Sequence, residues 1–279
     1  MAMKPDRRDF LLTAATALGA SPWLARGQEP AAATAVPGQD MSNLPPNWTG
    51  QEQIGMLLYP GMTALDFVGP QHMFASLMGA TVHHVAKTLD PVVCESNLTI
   101  VPTKTLVGCP RELDILFVPG GGEGTLEAMQ DPEILDFLND RGSRAKLVTS
   151  VCVGSLLLGA AGLLRGYQAT SHWATLSVLP LAGAHPVEQR VVQDRNRITG
   201  AGVSAGLDLG LIILALLRDR NYAETTQLLA EYSPEPPFQA GSPRTASPDV
   251  TAMVDSMFVS YRQRARSAMP ALSTRKGAA

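Results

Sequence analysis

The chain has 279 residues, 45% of them hydrophobic, and a formal net charge of -3. That apolar content suffices for one large core or two small ones and excludes disorder throughout. The slight acidity supplies no global basic field for nucleic acid and leaves small-molecule chemistry open.

Residues 1–30 join a charged leader containing Arg7 and Arg8 to a short apolar run over 10–18. The pattern reads as a twin-arginine export signal, and its apolar run is too short to span a bilayer. It predicts a periplasmic protein, free of the membrane once the signal is removed. Residues 31–52, rich in Ala, Pro, Gly and Asn without periodicity, read as a linker. The folded domain is expected over 53–243, followed by a C-terminal helix and tail over 244–279.

Within that domain, the apolar run 54–59 ended by Pro60-Gly61 predicts a buried strand and a turn. Helical spacing follows over 68–78, with Pro70 expected near the first turn. A second strand is expected over 80–86 and short hairpin strands over 92–107. "LDILFVPGGG" is a strand running into a glycine loop, and two short helices are expected near Leu126 and over 134–138. The strand "KLVTSV" leads into Cys152, and 154–164 reads as a buried helix. A strand feeding another helix, a hairpin around 194–197 and a buried helix over 202–217 complete the pattern. The last of these is about sixteen residues long and contains Asp208, so it is a core helix rather than a membrane span. A final helix is expected within 250–266, its basic end suiting a helix C-terminus.

Strands alternating with helices predict an α/β fold, a doubly wound parallel sheet with its site at the carboxyl ends of the strands. Three junctions there carry candidate chemistry. Cys152, at the proposed start of a helix among small neighbours, is either an inert buried thiol or a nucleophile at a sharp elbow, ionised by the helix start. Asp66 is either a helix cap or a carboxyl group of raised pKa acting as acid and base. The loop carrying Gly120 and Gly121 is either a plain turn or, with the Val153 amide, an oxyanion hole. A phosphate loop is disfavoured, because Thr125 breaks the glycine spacing. His172 is a possible base for the cysteine or a structural histidine at a helix entry. His83 and His84 point to opposite faces of a strand, so no metal site is predicted. Cys94, Cys109 and Cys152 form no complete pairing, and a Cys94 to Cys109 disulfide stays open.

Five stretches in order, "LLYPGMTALDFVGPQHMFA", "LDILFVPGGGEG", "VTSVCVGSLLLGAAGLLRGYQATSHWA", "RVVQDRNRITGAGVSAGLDLGL" and "EYSPEPPFQAGSP", resemble the isonitrile hydratase branch of the ThiJ/PfpI superfamily. The likeness runs from about 54 to 243. It implies a flavodoxin-like domain akin to class I glutamine amidotransferases, a homodimer and no cofactor. It places the nucleophile on Cys152, the catalytic carboxyl on Asp66 and the glycine loop on Gly120 and Gly121. The implied reaction is addition of water to an organic isonitrile, giving an N-substituted formamide through a cysteine thioimidate. Relatives in the protease and glyoxalase-like branches carry His after the cysteine, where this chain has Val153. The hydratases usually carry Thr there, so Val153 removes a hydroxyl while keeping the shape. The alternatives are a cysteine enzyme acting on a reactive aldehyde or amide, and a thiol-based redox sensor. A transcription regulator is not expected, since such proteins carry a following DNA-binding domain.

Overall fold

The computed structural model describes residues 44–269. The expected export signal lies outside them. In chain order the first elements are β1 (Gln53–Leu57), α1 (Ala64–Ala75), β2 (Thr81–Ala86), β3 (Val92–Val93), β4 (Thr99–Ile100), β5 (Lys104–Thr105) and β6 (Ile115–Val118). Then come α2 (Glu123–Ala128), α3 (Pro132–Gly142), β7 (Leu147–Val151), α4 (Gly154–Ala160), β8 (Gln168–Ala169), a 3-10 helix (Trp173–Ala182) and β9 (His185–Pro186). The chain continues through β10 (Val191–Asp194), β11 (Arg197–Gly200), α5 (Ala205–Leu217), α6 (Arg220–Leu229), α7 (Pro248–Met257) and α8 (Val259–Ala268).

Uninterrupted apolar runs make the central strands. Ile115, Leu116, Phe117 and Val118 of β6 are all buried, which requires cover on both faces and suits a parallel sheet between helices. The seven-stranded sheet has the order β10-β11-β7-β6-β1-β2-β5. Its neighbours pair in parallel except in the antiparallel β10/β11 hairpin. α1, α5 and α6 pack successively on one another, while α4 gathers α2, α3 and the 3-10 helix, and α8 rests on α2 and the 3-10 helix. The chain moves outward from β1 to β2 and β5, then returns to the other side of β1 for β6, β7 and β11. That reversal opens a crevice at the carboxyl ends of β1 and β6. The architecture is flavodoxin-like and glutamine amidotransferase-like, as expected.

Several expectations on local structure change. α1 starts at Ala64, earlier than its spacing indicated, so Pro70 lies inside the helix and offers no N–H to the carbonyl of Asp66. α4 stops at Ala160, and Gly162 and Gly166 then take left-handed φ values of 82° and 72°. The expected helix after His172 is a 3-10 helix containing Pro180. α6, unforeseen, is started by Asp219, whose Oδ1 accepts from Tyr222 N at 2.8 Å. The end of the expected linker is anchored to the body: Trp48 packs edge-on against Tyr222 at 5.0 Å and donates to Asp219 at 3.0 Å. Glu52 pairs with Arg218. The final helix divides at Phe258 into α7 and α8. Cys94 and Cys109 are buried free thiols rather than a disulfide.

Candidate active site

β7 ends at Val151, and the next residue turns the chain sharply into α4. Cys152 does so with φ of 57°, in the left-handed region that costs a non-glycine residue roughly 1–3 kcal/mol. The other described non-glycine residues with positive φ, Asn97, Arg195 and Glu231, are exposed, whereas Cys152 is buried. Hydrogen bonds fix the strained unit from both sides. The Cys152 N–H donates to the carbonyls of Gly200 (3.1 Å) and Ala201 (2.7 Å), tying it to the end of β11. Its own carbonyl accepts from the hydroxyls of Ser171 (3.1 Å) and Ser155 (3.2 Å). Gly154 completes the elbow, since a Cβ there would come within 2.4 Å of the Val118 carbonyl oxygen.

Asp66 is fully buried in the first turn of α1, yet it is not the cap, because Thr63 holds that position. Its Oδ2 accepts from Gly120 N at 3.0 Å, and its Oδ1 has no hydrogen-bond partner. Burial pushes the carboxyl up to about 7, against the lowering effect of the Gly120 amide and the Cys152 side chain. Asp66 is thus not the helix cap, and a carboxyl that titrates near neutrality is able to take up and release a proton there.

The charge on sulfur departs from expectation. Burial, followed by the negative charge of Asp66, pushes the Cys152 thiol well above its ordinary range, while the Val153 amide acts in the opposite direction. Two adjacent groups in a dry site do not both ionise at neutral pH, so the pair carries at most one negative charge there and titrates as a unit.

The glycine loop brings the two groups together. A Cβ on Gly120 would lie 2.7 Å from Val153 N, 2.8 Å from Asp66 Oδ2 and 3.0 Å from Cys152 Cβ, so the acid, the amide and the cysteine surround one point. The Gly120 N–H serves Asp66 instead of an oxyanion hole. Its carbonyl accepts from Thr63 N at 2.9 Å. The Gly121 carbonyl accepts from Thr125 Oγ1 at 2.8 Å and from the Tyr261 hydroxyl at 3.3 Å. The Val153 amide is directed at the sulfur, and Gly121 lines the cavity above it.

Above this point opens a cavity of about 470 Å³, lined by Cys152, Val153, Gly121, His172 and residues of α8. His172 serves as wall and cap: Nδ1 accepts from Ala174 N at 3.3 Å, and the ring stacks on Phe258 with centroids 4.8 Å apart. Burial lowers its pKa and keeps it neutral. Glu95, Phe258, Tyr261 and Arg264 also line the cavity, and none was singled out from sequence. The spacing of Phe258, Tyr261 and Ala265 marks one inward face of α8 and was the available signal. His83 and His84 lie apart from this site, one bonded to Gln53 (2.8 Å) and the other edge-on to Phe67 (5.2 Å). Among the described residues there is no metal-binding cluster of His, Cys, Asp and Glu.

The family model described as the DJ-1/PfpI family matches residues 52–216, more than half the chain. The chain belongs to the DJ-1/PfpI family. The isonitrile hydratase of Pseudomonas putida is 48% identical over 204 residues, covering 73% of this chain and 87% of that protein. A solved ThiJ/PfpI family structure from Pseudomonas syringae superposes with a TM-score of 0.80 at 55% identity, over 85% of this chain and 97% of the other. DJ-1 of Schizosaccharomyces pombe, at 19% identity and a TM-score of 0.57, covers 65% of this chain and all of its own, and shares the fold.

Proposed function

We propose that this protein is a hydro-lyase that adds water to an organic isonitrile and releases an N-substituted formamide. The observation that carries the reading is the buried Asp66 carboxyl of raised pKa beside an elbow cysteine, with one oxygen held by Gly120. The 48% identity to a protein named isonitrile hydratase, over most of both chains, supports the choice of reaction.

In the proposed sequence Asp66 Oδ1 takes the thiol proton as Cys152 Sγ bonds to the terminal isonitrile carbon. The same carboxyl returns that proton to the carbon, which gives the thioimidate R–N=CH–S–Cys152. Water then attacks the thioimidate carbon while Asp66 accepts one of its protons. That proton passes to the nitrogen side as the C–S bond breaks, and the departing sulfur regains the proton left by the attacking water. The products are R–NH–CHO and the free thiol, so one carboxyl serves as base and acid in turn. The Val153 amide stabilises sulfur whenever it carries charge.

Gas chromatography of formamide from cyclohexyl isonitrile tests the reaction. Wild type is expected to turn the substrate over and Cys152→Ala to fall to background; no formamide, or equal rates, ends the proposal. The active form of the pair carries one shared proton. Turnover is therefore expected to rise with pH through about 7, where Asp66 titrates, and to fall only at far higher pH as the second proton leaves. A rate independent of pH between 5 and 9 contradicts this assignment.

A further inference from the structure

The cavity over Cys152 has two unlike sides. The elbow and glycine loop form the reacting side, and the α7/α8 corner, beyond the last residue matched by the family model, forms the other. There Phe258 lies parallel to His172, and Tyr261 stands edge-on to Phe258 with centroids 5.9 Å apart. The corner is held to the body at several points. Arg262 Nη1 donates to the Ala174 carbonyl at 3.2 Å, Arg266 donates to Ser177 Oγ at 3.2 Å, and Arg264 pairs with Glu123 of α2. Tyr261 is itself bonded to the glycine loop. These contacts make a fixed aromatic wall.

The rim is acidic. Arg264 is matched by Glu123, which leaves Glu95 as surplus negative charge, its carboxylate accepting from Thr63 Oγ1 at 2.7 Å and Gly122 N at 3.3 Å. His172, the other lining side chain able to carry positive charge, is kept neutral by burial. The isonitrile group is linear, so a substrate whose terminal carbon meets Cys152 Sγ sends its substituent away from the elbow, across the cavity.

Resting on the hydratase reading, we propose that the α7/α8 wall selects the substrate. A neutral, apolar, ring-sized substituent lies against Phe258 and Tyr261, and substituents bearing a carboxylate are repelled by Glu95. The acid-base chemistry needs neither aromatic ring, so the wall is a specificity element rather than part of the reacting pair.

Alkylation of the full-length protein reads this preference without requiring turnover. Iodoacetamide, iodoacetate and N-phenyl iodoacetamide are compared at Cys152 by peptide mass spectrometry, each rate normalised to that of glutathione. In wild type the phenyl reagent is expected to outpace iodoacetamide, and iodoacetate to lag. Phe258→Ala is expected to lower the phenyl-to-small ratio about fivefold, the value of one aromatic contact. Phe258→Leu, which keeps an apolar side chain at the corner, covers the case in which the alanine variant fails to fold and is expected to lower it partly. An unchanged ratio in the folded variants, or iodoacetate matching iodoacetamide in wild type, overturns the proposal. A parallel formamide assay with cyclohexyl and methyl isonitrile separates the two readings. If alkylation shows the expected pattern but no isonitrile is consumed, the hydratase reading fails and the preference for neutral ring-bearing ligands stands.

Discussion

The crevice at the ends of β1, β6 and β7 and the α7/α8 corner above it meet at one cavity but are built on different principles. The crevice is dry and over-constrained: Asp66, Gly120 and Cys152 are held by backbone hydrogen bonds, and a single added methyl group has nowhere to go. The corner is half-exposed and held by side chains, with Met257 72% exposed and three arginines tying it to the body. Backbone-positioned groups suit a reaction that needs fixed proton transfer, and a side-chain wall suits a choice among substituents. Substitutions in the crevice should therefore alter rate, whereas those at the corner alter preference.

The largest expected effect that would break this contrast is at Asp66. Asp66→Asn should lower turnover by about 10²- to 10⁴-fold, the usual range for a lost acid-base group. The same change should stabilise the protein at alkaline pH. The folded carboxyl titrates near 7 and the unfolded one near 3.8, so between those values the native state holds the extra proton. This group's effect on stability is thus least unfavourable below the lower value, worsens as pH rises through about 7 and then levels. Asparagine removes that decline, a gain on the order of 3–4 kcal/mol at pH 8 relative to pH 4. Urea denaturation of both proteins at the two pH values checks it, and parallel pH dependences would refute the raised carboxyl.

Gly120→Ala comes next. Its Cβ would press on Val153 N and Asp66 Oδ2, and a displacement near 1 Å at the reacting groups should lower kcat about 10²-fold with little change in KM. Val153→Thr, which restores the hydroxyl expected beside the cysteine, should shift turnover by less than about tenfold, since one neutral hydrogen bond is added. At the corner, Tyr261→Phe removes the 3.3 Å bond to Gly121 and the hydroxyl's contact with Thr125, and should cost about 1 kcal/mol of stability by thermal or chemical denaturation. A rate loss as large as that of Gly120→Ala would erase the distinction between the two regions.

The same contrast explains what was legible in the sequence. β1 and β6 were readable because apolar runs ending in Pro-Gly and Pro-Gly-Gly have few other meanings, and β7 because its short β-rich run ends in a small-residue elbow. Cys152 stood out at the elbow for that reason. Asp66 stayed ambiguous, since an aspartate near a helix start has one sequence signature whether it caps the helix or bonds a distant glycine. The state of the thiol was misjudged because a helix start is visible in sequence, whereas the burial and neighbouring carboxyl that oppose it exist only after folding. α6 escaped because its polar composition hid the Tyr222, Ala223 and Thr226 face. The inward face of α8 was visible as a pattern, but no pattern names the surface a helix will cover.

The left-handed backbone at Cys152 also bears on how this protein would respond to selection. A strained buried corner persists while its sulfur is useful, and a glycine would occupy the same φ without penalty. Directed evolution for heat resistance alone should therefore tend to discard the cysteine, and durable lineages need a screen that rewards turnover in every round.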